Sequence, residues 1–170
     1  MHDDASVRSF RAIALAVASA VALATGTAGA GNEARGTIAY KTRTTTLKYA
    51  WLVKGPDPAE PKTTIRTLIL SADDIGAGLA ACKTMSCASG EVAEGMTVDF
   101  DAGPRLNYWI AVNGQKVQYS GTAPLAVFTA KANDAGRLAG RLAIDDVAAG
   151  GPKIDVEFDV TVLKTFAAGR

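Results

Sequence analysis

Apolar and polar residues alternate along most of this chain, in short bursts separated by turn-forming residues. Leu47, Tyr49, Trp51 and Val53 alternate with Lys48, Ala50, Leu52 and Lys54, and Met96, Val98 and Phe100 alternate with Thr97, Asp99 and Asp101. A period of two puts such residues on one face of a β-strand. Tyr108, Ile110 and Val112 lead into Asn113-Gly114, after which Val117 and Tyr119 resume the alternation. Asn-Gly between two such runs predicts a hairpin, because a type I′ turn needs positive φ at both central residues. Leu125 to Ala130 reads as a further strand, followed by a turn at Asn133-Asp134-Ala135-Gly136. Leu138, Gly140, Leu142 and Ile144 then oppose Arg137, Arg141 and Asp145. The clearest strand follows Gly150-Gly151-Pro152, with Ile154, Val156, Phe158, Val160 and Val162 on one face and Asp155, Glu157, Asp159 and Thr161 on the other.

Two segments depart from alternation. Ile65 to Leu70 is a short apolar run suited to a central strand covered on both sides. Ser71-Ala72-Asp73-Asp74-Ile75 reads as a capped helix start, with Ile75 and Leu79 four residues apart, so one short helix is predicted near Asp73 to Cys82. Gly76 and Gly78 keep it short. The loop Gly55-Pro56-Asp57-Pro58-Ala59-Glu60-Pro61 is an exposed connector whose prolines discourage edge pairing. Closely spaced strands with turns between them predict an all-β fold, a single-domain antiparallel β-sandwich, with a small closed β-barrel as the alternative. One domain over residues 31–170, ending in a frayed tail from Ala167 to Arg170, accounts for the strands.

Residues 1–30 carry a different pattern. Arg8 and Arg11 precede an uncharged run from Ala12 to Ala24, and Ala28-Gly29-Ala30 supplies the small-x-small motif of signal-peptidase cleavage. The run is shorter than the about 20 residues of a membrane span. A signal peptide over 1–30 and a periplasmic or secreted product, not membrane-spanning, are the expectation. No Cys follows the cleavage site and no twin-arginine pair precedes it, so neither a lipid anchor nor that export route is expected. An outer-membrane barrel fits poorly, since the strands are short and unevenly spaced and the chain ends in Ala-Ala-Gly-Arg rather than an aromatic.

Cleavage has chemical consequences. His2, the single histidine, leaves with the leader, and with it ordinary Ser-His or Cys-His nucleophile systems and histidine metal ligation. Cys82 and Cys87 are too few for a zinc site, and in an oxidising compartment they read as a structural disulfide. Charge is uneven along the chain, net +4 over residues 31–70 and −3 from residue 71 onward, but the whole is +1. That balance argues against a nucleic-acid partner.

The order of features resembles a family of secreted bacterial β-rich proteins of about this length, known mainly as uncharacterised. Ala34-Arg35-Gly36-Thr37, then Leu47-Lys48-Tyr49-Ala50 with the proline loop, Leu70-Ser71-Ala72-Asp73-Asp74, Ala139-Gly140-Arg141-Leu142 and the last alternating strand carry the likeness. It implies a β-rich fold and no catalytic residue. The Cys82 and Cys87 pair is not typical of that family.

The remaining constellations are weighed on their context. Gly76-Ala77-Gly78-Leu79-Ala80-Ala81 matches a dinucleotide fingerprint but lacks the βαβ setting, so no cofactor is expected. Acidic pairs recur at Asp73-Asp74, Asp99 and Asp101, Asp145-Asp146, and Asp155, Glu157 and Asp159. Calcium or glycosidase chemistry competes there with a solvated sheet face, and no known calcium motif appears. Lys41, Arg43 and Lys48 are expected to face Asp155, Glu157 and Asp159 if the terminal strands are neighbours. Trp109 must point opposite to Tyr108 and Ile110, and with Trp51 it is a candidate surface-binding residue. Three functions follow in order. The first is a non-enzymatic extracytoplasmic interaction or accessory module with an envelope protein as partner. The second is a β-barrel carrier of a small apolar ligand. The third is a hydrolase using carboxylates or a Ser-Lys pair drawn from Ser71, Ser86, Ser89 and Ser120.

Overall fold

A computed structural model describes residues 32–114 and 118–167. The expected signal peptide with its cleavage site, Val117 and the tail beyond Ala167 lie outside the described residues. Nine strands form one sheet: β1 (Glu33–Tyr40), β2 (Arg43–Pro56), β3 (Thr64–Ser71), β4 (Gly95–Phe100), β5 (Arg105–Ala111), β6 (Tyr119–Pro124), β7 (Phe128–Asn133), β8 (Arg137–Asp145) and β9 (Lys153–Thr165). Their order is β6-β5-β4-β3-β2-β1-β9-β8-β7, and every ladder is antiparallel except a short parallel one between β2 and β9.

The all-β antiparallel fold is thus as expected, while the two expected layers come from a single sheet curled over on itself. Leu68, Met96, Val98 and Tyr108 from one wing meet Leu138, Leu142, Val156 and Phe158 from the other in the inner core. Phe100 of β4 lies edge-on to Phe128 of β7, 5.2 Å between centroids. Among the described residues no ladder joins β6 to β7, so side chains close the seam. At one end Arg66 reaches the β7–β8 turn, and at the other the Tyr108 hydroxyl donates to Asp146 between β8 and β9. Burial first, then that hydrogen bond, pushes the Tyr108 phenol up.

A second core lies outside the sheet. The segment between β3 and β4 forms two short helices, α1 (Gly76–Ala81) and α2 (Met85–Gly90), over the outer face of β2 and β3. The single expected helix is α1; α2 was not anticipated. α1 begins from Ile75 with no side-chain cap, since the Ser71 hydroxyl is engaged by the Asp73 amide instead. Thr84 caps α2 by accepting from the Cys87 amide. Cys82 and Cys87 are joined as a disulfide, 5.5 Å between Cα atoms. Lys164 of β9 ties the cap down, donating to the carbonyls of Ala80 and Cys82 at 2.7 and 2.5 Å. β3 is therefore buried on both faces, as its apolar run requires.

Asn113 and Gly114 both have positive φ, 72° and 63°, as a type I′ turn needs. The β5–β6 ladder ends at Ile110 and Tyr119. Two glycines of the resemblance motifs sit where backbones touch. A Cβ on Gly36 would lie 2.1 Å from the Asp155 carbonyl oxygen. Gly140 has φ 151°, and a Cβ there would lie 2.2 Å from the Thr129 oxygen. Among the described residues no helix is long and apolar enough to cross a membrane.

Candidate functional site

The helical cap covers β2 and β3 and its core reaches Ala111 at the end of β5, but Trp109 and Asp99, further along the outer face, lie outside that core and are half-buried. Because side chains alternate, β4 turns the buried Thr97 and the half-buried Asp99 to this side, while β5 presents Asn107 and Trp109. The register sets Trp109 between Thr97 and the exposed Ser120. It sets Asp99 between Thr67 and Asn107, with Thr122 beyond. Trp109 and Asp99 are thus diagonal neighbours, about 7–8 Å apart at the backbone. Trp109 is half-buried, so one part of the indole is open to solvent.

Asp99 carries the unusual electrostatics of this face. It accepts a hydrogen bond from the Thr67 hydroxyl at 2.7 Å and has no cationic partner among the described residues. Burial raises its pKa from 3.8 to about 6; the Thr67 bond opposes the shift and the nearby Asp57 charge adds to it. The face combines an aromatic plane, a carboxyl group near neutrality and several hydroxyl and amide groups. That is equipment for recognition.

Trp51 does not share this surface. It is 1% exposed, within the second core and stacked on Tyr49 at 5.8 Å. It is not a surface residue because the helical cap covers the outer face of β2, to which Trp51 turns where the alternation slips beside the β1 bulge between Glu33 and Gly36. Leu47 consequently faces the inner core, whereas Trp51 and Val53 face the cap. The Trp51 indole N–H is buried with no acceptor.

The acidic pairs are dispersed. β4 ends at Phe100 and Asp101 takes φ 70°, so Asp101 leaves the face that Asp99 occupies. Asp101 instead grips Arg66 through both carboxylate oxygens, at 2.6 and 2.9 Å. β1 does lie beside β9, but Lys41, Arg43 and Lys48 are not the partners of its acids. β1 separates β9 from the first half of β2, and the arginines of β8 take that place. Arg137 binds Asp159 (2.9 and 2.7 Å) and Arg141 binds Asp155 (2.7 and 2.6 Å), each through two parallel bonds. Those bonds hold both carboxyls below the usual carboxylate range.

Cys82, Cys87 and Glu91 are the one described grouping with metal-ligand spacing, but its sulfurs are bonded to each other. Ser71 is buried and its hydroxyl donates to the Glu94 carbonyl. Among the described residues no hydrogen bond joins Ser71, Ser86, Ser89 or Ser120 to a lysine.

Sequence reasoning passed over Lys54, Thr64 and Arg66. They line a cleft of about 290 Å³ at the mouth of the curled sheet, together with Asp101, Asn133 and Asp134. The signal was present in Arg66, a charge inside the apolar run of a doubly covered strand, which requires an acid partner. No protein-family model, curated protein or solved structure matches the chain.

Proposed function

We propose that this protein is a non-enzymatic, extracytoplasmic recognition module that binds an envelope partner through the open outer face around Trp109. The half-buried indole of Trp109, beside a partly desolvated carboxyl at Asp99 and outside the second core, is the observation that carries this reading. Aromatic side chains with a polar rim are the usual anchors of recognition surfaces. The carrier alternative has less support. The inner core is filled by large side chains such as Tyr108, Phe100, Leu68 and Met96, each at most 1% exposed.

Retention of an envelope component by the immobilised domain tests the proposal. Trp109→Ala is expected to lower retention at least tenfold, the scale of a central aromatic hot spot worth about 2 kcal/mol. Undiminished retention by Trp109→Ala would overturn the assignment of the face.

A further inference from the structure

The cleft at the mouth of the curled sheet is independent of the Trp109 face and has its own charge logic. Lys54 and Arg66 are direct cross-strand partners on the inward face of β2 and β3. Like charges placed directly opposite repel. Asp101 neutralises Arg66, and the Asp134 carbonyl and Asn133 Oδ1 take two more of its donors, at 2.6 and 2.9 Å. Four of the five guanidinium N–H groups are so engaged, and the fifth, on Nη1, has no acceptor among the described residues. The Lys54 ammonium likewise has no hydrogen-bond or ion-pair partner among the described residues. One wall therefore offers unmet donors and an uncompensated positive charge.

The opposite wall is acidic. Asp134 Oδ1 accepts from the amides of Gly136 and Arg137, both at 2.8 Å, which holds the carboxylate in place. Its Oδ2 has no partner among the described residues, and Arg137 next to it is already neutralised by Asp159. Thr64 also lines the cleft.

We infer that this cleft binds a small zwitterion, a free α-amino acid. Its carboxylate would sit on Lys54 and the spare Arg66 N–H, and its ammonium on Asp134. Arg66 serves as the fixed floor, since its other bonds hold the two wings of the sheet together. A ligand with only one of the two charges leaves one wall unmatched.

Titrating the isotope-labelled chain with alanine, propionate and ethylamine, followed by amide NMR shifts, tests this. Alanine is expected to shift residues around Lys54, Thr64 and Asp134 saturably with a millimolar midpoint. Propionate is expected to bind about tenfold more weakly, the scale of one lost charge-assisted contact, and ethylamine not measurably. Lys54→Met keeps the aliphatic stem and is expected to weaken alanine binding at least tenfold. Asp134→Asn retains the Oδ1 acceptor of the turn and is expected to bring alanine down to the level of propionate. Trp109→Ala is expected to leave all of this unchanged. The inference is overturned if alanine gives no saturable shift at these residues, if propionate matches it, or if Lys54→Met binds alanine as the parent chain does.

Discussion

Arg66 of β3 donates from Nη1 to the backbone carbonyl of Asp134 at 2.6 Å, joining the middle of the sheet to the hairpin at its far edge. No ladder does this. The guanidinium is 8% exposed, whereas the Asp101 carboxylate bound to it is 45% exposed. The two partners should therefore respond unequally to mutation. Asp101→Asn, which tolerates the positive φ at that position, leaves a buried cation without its counter-charge and should cost about 2–4 kcal/mol. Arg66→Met frees a carboxylate that water can reach and should cost less, about 1–2 kcal/mol. Urea unfolding midpoints of the two variants check the order.

Asp99 destabilises the fold at neutral pH. Its folded pKa, about 6, lies above the ordinary aspartate value of 3.8, so between those values the folded state binds more protons than the unfolded one. The Asp99 contribution thus falls as pH rises from about 4 to about 6 and stays at its least favourable above that. The change is of order 1–3 kcal/mol. Asp155 and Asp159 act oppositely, since their lowered pKa gives stability that is lost only as pH falls below the ordinary carboxylate range. Asp99→Asn can still accept from Thr67. It should stabilise the protein at pH 7.5 and flatten the profile between pH 4 and 6, as measured by thermal unfolding across that range.

Trp51 fills the second core with an indole N–H that finds no acceptor. Trp51→Phe loses apolar volume but also removes an orphaned donor, whose burial costs about 1–3 kcal/mol. The net change should be below about 1.5 kcal/mol, well under the 3–5 kcal/mol typical of a Trp→Ala truncation. Comparing Trp51→Phe with Trp51→Ala by denaturant unfolding checks this.

The cap is held by the Cys82–Cys87 disulfide, by Lys164 and by its apolar underside. Replacing both cysteines with serine should cost about 2 kcal/mol, as expected for so short a loop in the chain-entropy model. Lys164→Met should cost less and act locally. Hydrogen exchange is expected to accelerate in α1 and α2 while the β8 and β9 amides keep their protection.

Strand content was legible where one face is buried and the other wet. In β9, Ile154, Val156, Phe158 and Val160 all enter the inner core as their alternation requires. The curl of one sheet was not legible, because alternation reports which side of a strand is buried and not which strand covers it. The slip in β2 escaped for a related reason. Tyr49, Trp51 and Val53 remain in phase with Leu47 in the sequence, but a bulge in the neighbouring strand reassigns the face. Trp109 was found because Tyr108 and Ile110 must both point inward. The cleft was missed because Asp134 is far along the chain from the paired Lys54 and Arg66 and meets them only through the curl.

The outer face around Trp109 is proposed as the recognition surface, and the two tryptophans report on it separately. The chain has two tryptophans, and Trp51 is 1% exposed beneath the cap, so fluorine-labelled tryptophan yields one surface and one buried resonance. Titration with solubilised envelope fraction should broaden or shift the Trp109 resonance and leave that of Trp51 in place. A Trp109 resonance that stays unmoved while the envelope partner is retained on the protein would contradict the account.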